Sequence, residues 1–278
     1  MALRLLRGRA SPGRAAAPTF GTPFDLNLVG LRTLIAKEVW RFLKVPAQTV
    51  VAPLVNALLF LVIFAFALGR AGRTVGELPY LAFLAPGLVM MSVIQNAFAN
   101  TSSSLVIAKI QGNIVDYLMP PLSPGELLFG LVAGGVVRGF VVAAAVGVVL
   151  PFFVTFGSVD PLLALLYLLL ASVGTATAGV LAGLWADKFD QLAFVTNFVI
   201  VPLSFLSGTF YSVAALPPAL HLVALFDPFF HMIDGFRYAL TGHADGAIWI
   251  GVPVLVLVDL GLWLLALHLL RIGWRLKS

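Results

Sequence analysis

The sequence contains no cysteine and few charged residues. Of its 278 residues, 10% are Asp, Glu, Lys or Arg, whereas a soluble domain has about 25%. The absence of cysteine excludes disulfide bonds, thiol catalysis and thiolate metal sites. Hydrophobic residues make up 60% of the chain, so water is not its main solvent. The composition therefore predicts an integral membrane protein.

The chain also lacks the motifs of the common catalytic classes. No G-x-x-x-x-G-K-[ST] phosphate loop occurs in it, so we do not expect it to hydrolyse ATP or to be an enzyme. No nucleophile and base stand at a convincing spacing. The spacings of His221, His231 and His243 fit no standard metal site. We therefore expect no metal and no cofactor in this chain.

Six stretches are long and apolar enough to cross a membrane as helices. They lie at about residues 46–69, 80–101, 127–149, 162–185, 192–210 and 247–270. The predicted fold is therefore an all-α membrane protein with six transmembrane helices. An even number of spans places both termini on the same side of the membrane.

The distribution of Lys and Arg indicates which side that is. These residues concentrate before the first span, after the last, and in the two loops on the same side, whereas Arg70, Arg73 and Arg237 lie opposite. Positive flanks stay in the cytoplasm, so both termini are predicted to be cytoplasmic. The same bias explains the net charge of +5 without a nucleic-acid partner.

Two regions precede the first span. Residues 1–25 lack an apolar run, so we expect a disordered cytoplasmic tail rather than a secretory signal, with the membrane domain occupying residues 26–278. Within residues 26–44, apolar side chains recur at helical spacing and Arg32, Lys37, Arg41 and Lys44 occupy the other side. This pattern predicts an amphipathic helix at the membrane interface. It serves either as an anchor or as a docking site for a partner.

The loop between the second and third spans reads QGNIVDYLMPPLSPGE, residues 111–126. Pro120 and Pro121 end the preceding helical turn. Ser123 and Pro124 then form an N-cap and a first-turn proline. The segment thus predicts a short helix, a rigid elbow and a new helix on the cytoplasmic side. A stiff elbow transmits force from a soluble partner to two spans; the alternative is an ordinary tight loop.

Two charges and several amides lie inside the predicted spans. Arg138 and Asp259 are both near the middle of their helices. Because an unpaired charge at that depth is costly, we predict that they approach each other or face a shared aqueous cavity. The amide side chains either bond neighbouring helices or line a route; they are Asn56, Gln95, Asn96, Asn100 and Asn197.

The stretch before the last span, residues 211–243, is moderately apolar but broken by prolines and Gly235. It is too interrupted to cross the membrane twice, so it predicts a re-entrant helical hairpin on the outer side. We expect Asp227, Asp234 and Arg237 to hold this hairpin together by hydrogen bonds.

Several motifs occur in an order that resembles one known family. They are AKEVWRFLKVPAQTVVAPLVNALLF, FLAPGLVMMSVIQNAFAN, YLMPPLSPGELLFGLVAGGVVRG and LFDPFFHMIDGFRYALTG. The chain from about residue 31 to its end resembles the ABC-2 type transporter permeases, most of all the short bacterial six-helix subunits grouped with drug and lipo-oligosaccharide exporters.

The resemblance implies two permease subunits, here a second copy of this chain, working with a separate cytoplasmic ABC ATPase that binds ATP and Mg²⁺. It implies export by alternating access across the bacterial inner membrane. The residues that dock on the ATPase would be Lys37, Glu38, Arg41, Asp116, Tyr117, Met119, Pro120, Pro121, Leu122, Ser123, Pro124 and Glu126.

The resemblance also implies where the substrate passes and which residues form the hairpin. Spans one, two and five would line the route, with Asn56, Asn96, Asn100 and Asn197 near the substrate. The hairpin would span residues 216–241 and include Asp227, Pro228, His231, Asp234 and Arg237.

The expected function is therefore export of an amphipathic drug, lipid or glycan-lipid. The alternative is an ion-coupled secondary transporter that works without an ATPase. The shortage of carboxylates in the spans and the lack of clear internal repeats count against that alternative.

Overall fold

The computed structural model describes residues 27–68, 74–157 and 159–275. The predicted tail, residues 1–25, lies outside them. The helices are α1 (Leu28–Leu43), α2 (Ala52–Leu68), α3 (Tyr80–Ile110), α4 (Val115–Leu118), α5 (Pro124–Val149), α6 (Pro161–Trp185), α7 (Phe189–Val195), α8 (Val201–Leu206), α9 (Pro218–Phe226), α10 (Pro228–Thr241) and α11 (Ile248–Arg271). The two-residue strands β1 (Thr74–Val75) and β2 (Leu78–Pro79) pair antiparallel before α3.

Six helical stretches in the described residues are long and apolar enough to cross a membrane, as predicted. Two of them contain a π-helical segment. Residues Ala47–Val51 precede α2 in the first span, and Thr196–Ile200 join α7 to α8 in the fifth. Short π segments are frequent at functional sites, and both of these lie in spans predicted to line the route.

The second span is longer than predicted, because α3 continues for 31 residues to Ile110. The polar run after Asn100 favours a helix end there, but its hydroxyls find partners inside the protein. Ser102 donates to the carbonyl of Phe98 at 2.7 Å, and Thr101 donates to that of Ala176 at 2.7 Å. A satisfied hydroxyl no longer requires water, so the helix continues.

Helix α3 forms the centre of the bundle. In its most apolar 18-residue window 83% of the residues are buried, against 17% in the first and fifth spans. It packs against α5, α6 and α10. Glycines allow this close contact: Gly135 faces Ala176 and Thr101, and Gly179 faces Thr101 and Phe98.

The bundle has two distinct ends. The "α4 end" comprises α4 and the loop between α6 and α7, where Lys109 Nζ donates to the carbonyl of Leu184 at 2.5 Å. The "hairpin end" comprises the two strands, α9 and α10, where Tyr80 donates its hydroxyl to the carbonyl of Phe210 at 2.8 Å. At 9 and 14 residues, α9 and α10 are each too short to span a bilayer.

We predict that Gly179→Ala destabilises the bundle. A Cβ at Gly179 would collide with Thr101 Oγ1 and with the backbone of Phe98, and overpacking of this kind costs about 1–3 kcal/mol. The matched control is Gly147→Ala in α5, where a Cβ meets nothing within 4 Å. Thermal unfolding in detergent should show a lower Tm for Gly179→Ala and an equal or higher Tm for Gly147→Ala. Equal Tm values for the two variants would contradict the packing described here.

Candidate functional site

The segment between α3 and α5 folds as a short helix and an elbow, as predicted. Gly112 adopts a φ of +72° after the end of α3, a conformation that favours glycine. Helix α4 follows, and the elbow runs from Met119 to Ser123. Ser123 caps α5 in a capping box with Glu126, and Pro124 occupies the first turn.

Glu126 also joins the elbow to the start of α1. One carboxylate oxygen accepts from the backbone N–H of Ser123 at 2.7 Å, and the other accepts from the backbone N–H of Asn27 at 2.6 Å. The side-chain amide of Asn27 donates to the carbonyl of Pro121 at 3.3 Å. The beginnings of α1 and α5 are therefore held together through one carboxylate.

A second carboxylate, Glu38, is fully buried between α1, α3 and α4. Its Oε1 accepts from Ser104 Oγ at 2.8 Å and from the Tyr117 hydroxyl at 2.9 Å. Its Oε2 accepts from Arg41 Nη2 at 3.0 Å. Burial and the adjacent carboxylate raise the pKa of Tyr117, so its phenol remains protonated and donates.

Arg41 extends this arrangement to α3. Its Nη2 donates to the carbonyl of Asn100 at 2.6 Å and to Asn100 Oδ1 at 3.1 Å, and Nη1 donates to Ser103 Oγ at 3.3 Å. Lys37 Nζ lies 3.7 Å from the centre of the Tyr117 ring, a cation–π contact. We call Glu38, Arg41, Asn100, Ser103, Ser104 and Tyr117 the Glu38 network.

A cavity of about 430 Å³ lies between the first, second and fifth spans. Its polar wall consists of Gln48, Asn56, Ser92, Gln95, Asn96 and Thr196. The apolar wall includes Phe60, Met91 and Phe205. Both π-helical segments contribute to it, through Gln48 and Thr196.

The hairpin end is closed by buried ionic and polar contacts. Asp227 caps α10 by accepting from the N–H of Phe229 at 2.9 Å, and it accepts from Ser207 Oγ at 2.6 Å. Arg237 is fully buried and donates to the carbonyls of Phe83 at 3.1 Å and Gly208 at 2.6 Å. Helix α10 is thereby tied to α3 and to the chain after α8.

Asp234 and His231 complete the hairpin. Asp234 accepts from the backbone N–H groups of Asp245 and Gly246, both at 2.9 Å, and lies 3.6 Å from Arg237 Nη1. His231 Nε2 is hydrogen-bonded to the carbonyl of Leu225 at 2.9 Å. Asp227, Asp234 and Arg237 are thus hydrogen-bonded, and their bonds tie α10 to α3, to the chain after α8 and to residues 245–246. That they hold the two helices of the hairpin together stays a prediction.

Comparison with known proteins identifies the family. The sequence model of the ABC-2 type transporter family matches residues 29–241. The inner membrane transport permease YadH of Escherichia coli K12 is 37% identical over 253 residues, which cover 91% of this chain and 99% of that protein. Nodulation protein J of Rhizobium leguminosarum bv. viciae is 28% identical over 220 residues, 76% of this chain and 83% of the relative. The chain belongs to the ABC-2 transporter family.

The residues expected to dock on an ATPase fall into two groups in this permease. Lys37, Asp116, Met119, Pro121 and Ser123 are exposed, and Arg41, Pro120, Leu122 and Pro124 are partly so. Glu38, Tyr117 and Glu126 are buried. The second group joins helices inside the permease and contributes little exposed surface. A concavity of about 180 Å³ between α1 and the elbow has Lys37, Asp116, Tyr117 and Pro120 in its wall.

Of the four asparagines predicted to lie near the substrate, only two line this cavity. Asn56 and Asn96 line it, but Asn100 is fully buried in the Glu38 network and Asn197 is exposed elsewhere on its π segment. The sequence reasoning missed Gln48 and Thr196. Gln48 could have been found, since it stands eight residues before Asn56 and therefore on the same helical face.

Within the described residues, Arg138 and Asp259 form no ion pair. The alternative, that both face a shared aqueous cavity, stays a prediction. Arg138 Nη2 donates to Asn96 Oδ1 at 2.8 Å. Asp259 packs against Gly174 of α6, and neither of its buried carboxylate oxygens has a hydrogen-bond partner among the residues that the structure describes. Residue counts estimate depth along a helix but not the direction in which the side chain points. Here α5 directs Arg138 toward α3, and α11 directs Asp259 toward α6.

We predict an energetic coupling between Glu38 and Tyr117. Glu38→Gln and Tyr117→Phe both weaken the hydrogen bond between these two side chains. In a double-mutant cycle, the effect of the double variant on the free energy of unfolding should therefore differ from the sum of the two single effects by about 1 kcal/mol. The measurement is chemical unfolding in detergent. The control cycle combines Tyr117→Phe with Thr175→Val instead of Glu38→Gln. The Thr175 hydroxyl donates to the carbonyl of Ala171 in its own helix, so the effects of these two changes should be additive. Additivity in both cycles would contradict the network.

Proposed function

We propose that this chain is the membrane-spanning subunit of an ABC exporter, driven by a separate ATPase that docks at the α4 end. The observation that carries the proposal is the Glu38 network. Helix α4 has exposed residues, Val115, Asp116 and Leu118, and one buried residue, Tyr117, which bonds Glu38. A push on the exposed side therefore reaches α1 and α3 through short, buried hydrogen bonds.

The docking surface comprises the exposed side of α4, the elbow and the adjacent side of α1. Met119 is 77% exposed, and the concavity between α1 and the elbow accepts a side chain from the partner. Lys37 and Asp116 stand at its rim and supply charges of both signs. Rim charges of this kind steer a partner and fix its register.

The transported molecule is amphipathic, and it passes through the cavity between the first, second and fifth spans. Amide and hydroxyl groups on one wall hydrogen-bond its polar part, while the aromatic rings of Phe60 and Phe205 contact its apolar part. Both termini lie in the cytoplasm of a bacterium, and the subunit works in the inner membrane as a pair of identical copies. The sparsely buried first, fifth and sixth spans face lipid and the second copy.

Co-purification tests the assignment. The tagged permease, expressed in its native host, should retain a protein that carries a phosphate loop, and ATP hydrolysis by that protein should depend on the permease. Transport by the purified permease alone would overturn the proposal.

Reversing the charge of Asp116 should weaken the docking contact. Asp116 is exposed on α4, so Asp116→Arg should leave the Tm unchanged and weaken binding of the ATPase about tenfold. Asp190→Arg is the matched control, because Asp190 is also an exposed aspartate in the first turn of a helix, α7. Normal ATPase binding by Asp116→Arg would contradict this surface. Glu126 is unsuitable for this test, since its carboxylate caps α5 and holds Asn27.

One observation favours a second function, an ion-coupled secondary transporter. The carboxylate of Asp259 is buried within a span and has no hydrogen-bond partner in the described part of the chain, as in a site that binds a proton. In proteoliposomes that contain the permease without an ATPase, uptake driven by a proton gradient and abolished by Asp259→Asn would establish that function. Absence of such uptake supports the exporter.

A further inference from the structure

Arg138 lies in a membrane span without a counter-charge among the described residues. Within the part of the chain that the structure describes, it forms no ion pair with an acidic side chain, and its one hydrogen bond to a side chain goes to the neutral amide of Asn96. The nearby charge that acts on it is a second cation, Arg41. Glu38, the acidic group of this region, is already bonded to Arg41. An unpaired charge in a span is costly and is usually found where a ligand or a route provides the partner.

Buried donors near Arg138 are also unused. Among the described residues, Arg138 Nε has no acceptor although it is buried. Asn100, one helical turn after Asn96 on α3, is fully buried, and its Nδ2 likewise finds no acceptor within the described ranges, although its Oδ1 accepts from Arg41. This Nδ2 points toward Gly134, one turn before Arg138 on α5. The region therefore has two cations and a surplus of donors, but too few acceptors.

The same region adjoins the cavity. Asn96 lines the cavity wall, and its Oδ1 accepts from Arg138. The described residues that line the cavity include no charged side chain. Arg138 is therefore the charge that lies directly behind the polar wall, one hydrogen bond from the open space.

We infer that Arg138 binds the anionic group, a phosphate or a carboxylate, of an amphipathic molecule in the membrane. The guanidinium matches the geometry of such a group and can bind it through two parallel hydrogen bonds. Asn96 positions the guanidinium by holding Nη2. The anion provides the counter-charge, and its oxygens provide the missing acceptors. This binding needs no ATPase, so its failure and the failure of the proposed exporter are distinguishable.

The test uses the full chain in mixed micelles with phosphatidylglycerol as the probe. Titration of phosphatidylglycerol should raise the Tm, and the neutral lipid phosphatidylcholine should not. Arg138→Met should weaken the apparent affinity for phosphatidylglycerol about tenfold. Arg271→Met is the control, because Arg271 is an exposed cation at the end of α11 and reports unspecific attraction of anionic lipid.

A second variant retains the arginine. Asn96→Asp places a carboxylate where Arg138 Nη2 now finds Oδ1 at 2.8 Å, so an internal ion pair should displace the lipid as effectively as Arg138→Met does. Inorganic phosphate forms a separate arm: stabilisation by phosphate alone, at the same concentration, would overturn the assignment to an amphipathic molecule. Equal affinity of the wild type, Arg138→Met and Asn96→Asp for phosphatidylglycerol would overturn the site itself.

Discussion

The geometry of the α4 end depends on the burial of one carboxylate, Glu38. A buried charge is tolerated only where it is paired and hydrogen-bonded, and here the partners come from three elements. Arg41 belongs to α1, Ser104 to α3, and Tyr117 to α4. If any of these helices moved away, the carboxylate would lose a donor in a site that water does not reach. The electrostatic cost therefore makes α1, α3 and α4 move together.

Composition and turn chemistry were sufficient to predict the architecture. The six spans follow from apolar length, and the elbow follows from Pro120, Pro121 and the capping box of Ser123 with Glu126. The hairpin follows from its prolines. These features depend on local sequence, whereas the partners of Asp227 and Arg237, which include Ser207, Phe83 and Gly208 outside the hairpin, do not.

The pairing between helices could not be predicted in the same way. Arg138 and Asp259 both lie near the middle of their predicted spans, yet their side chains face different helices. The rotation of each helix about its axis is set by the helices that pack against it. The family resemblance places Glu38 among the docking residues, but its side chain is fully buried. Its burial depends on Gly134, which allows α1 to approach α5, and on Tyr117, which is brought close by the turn after α3.

The Glu38 network and the cavity are connected through one turn of α3. Asn100 belongs to the network and bonds Arg41, and Asn96, four residues earlier on the same face, lines the cavity and bonds Arg138. Helix α3 is continuous and deeply buried, so it cannot bend between these two residues without breaking packed contacts with α5 and α6. A displacement of α4 that shifts Asn100 therefore shifts Asn96 as well. A movement of α4 would therefore reach the cavity wall through the buried helix α3.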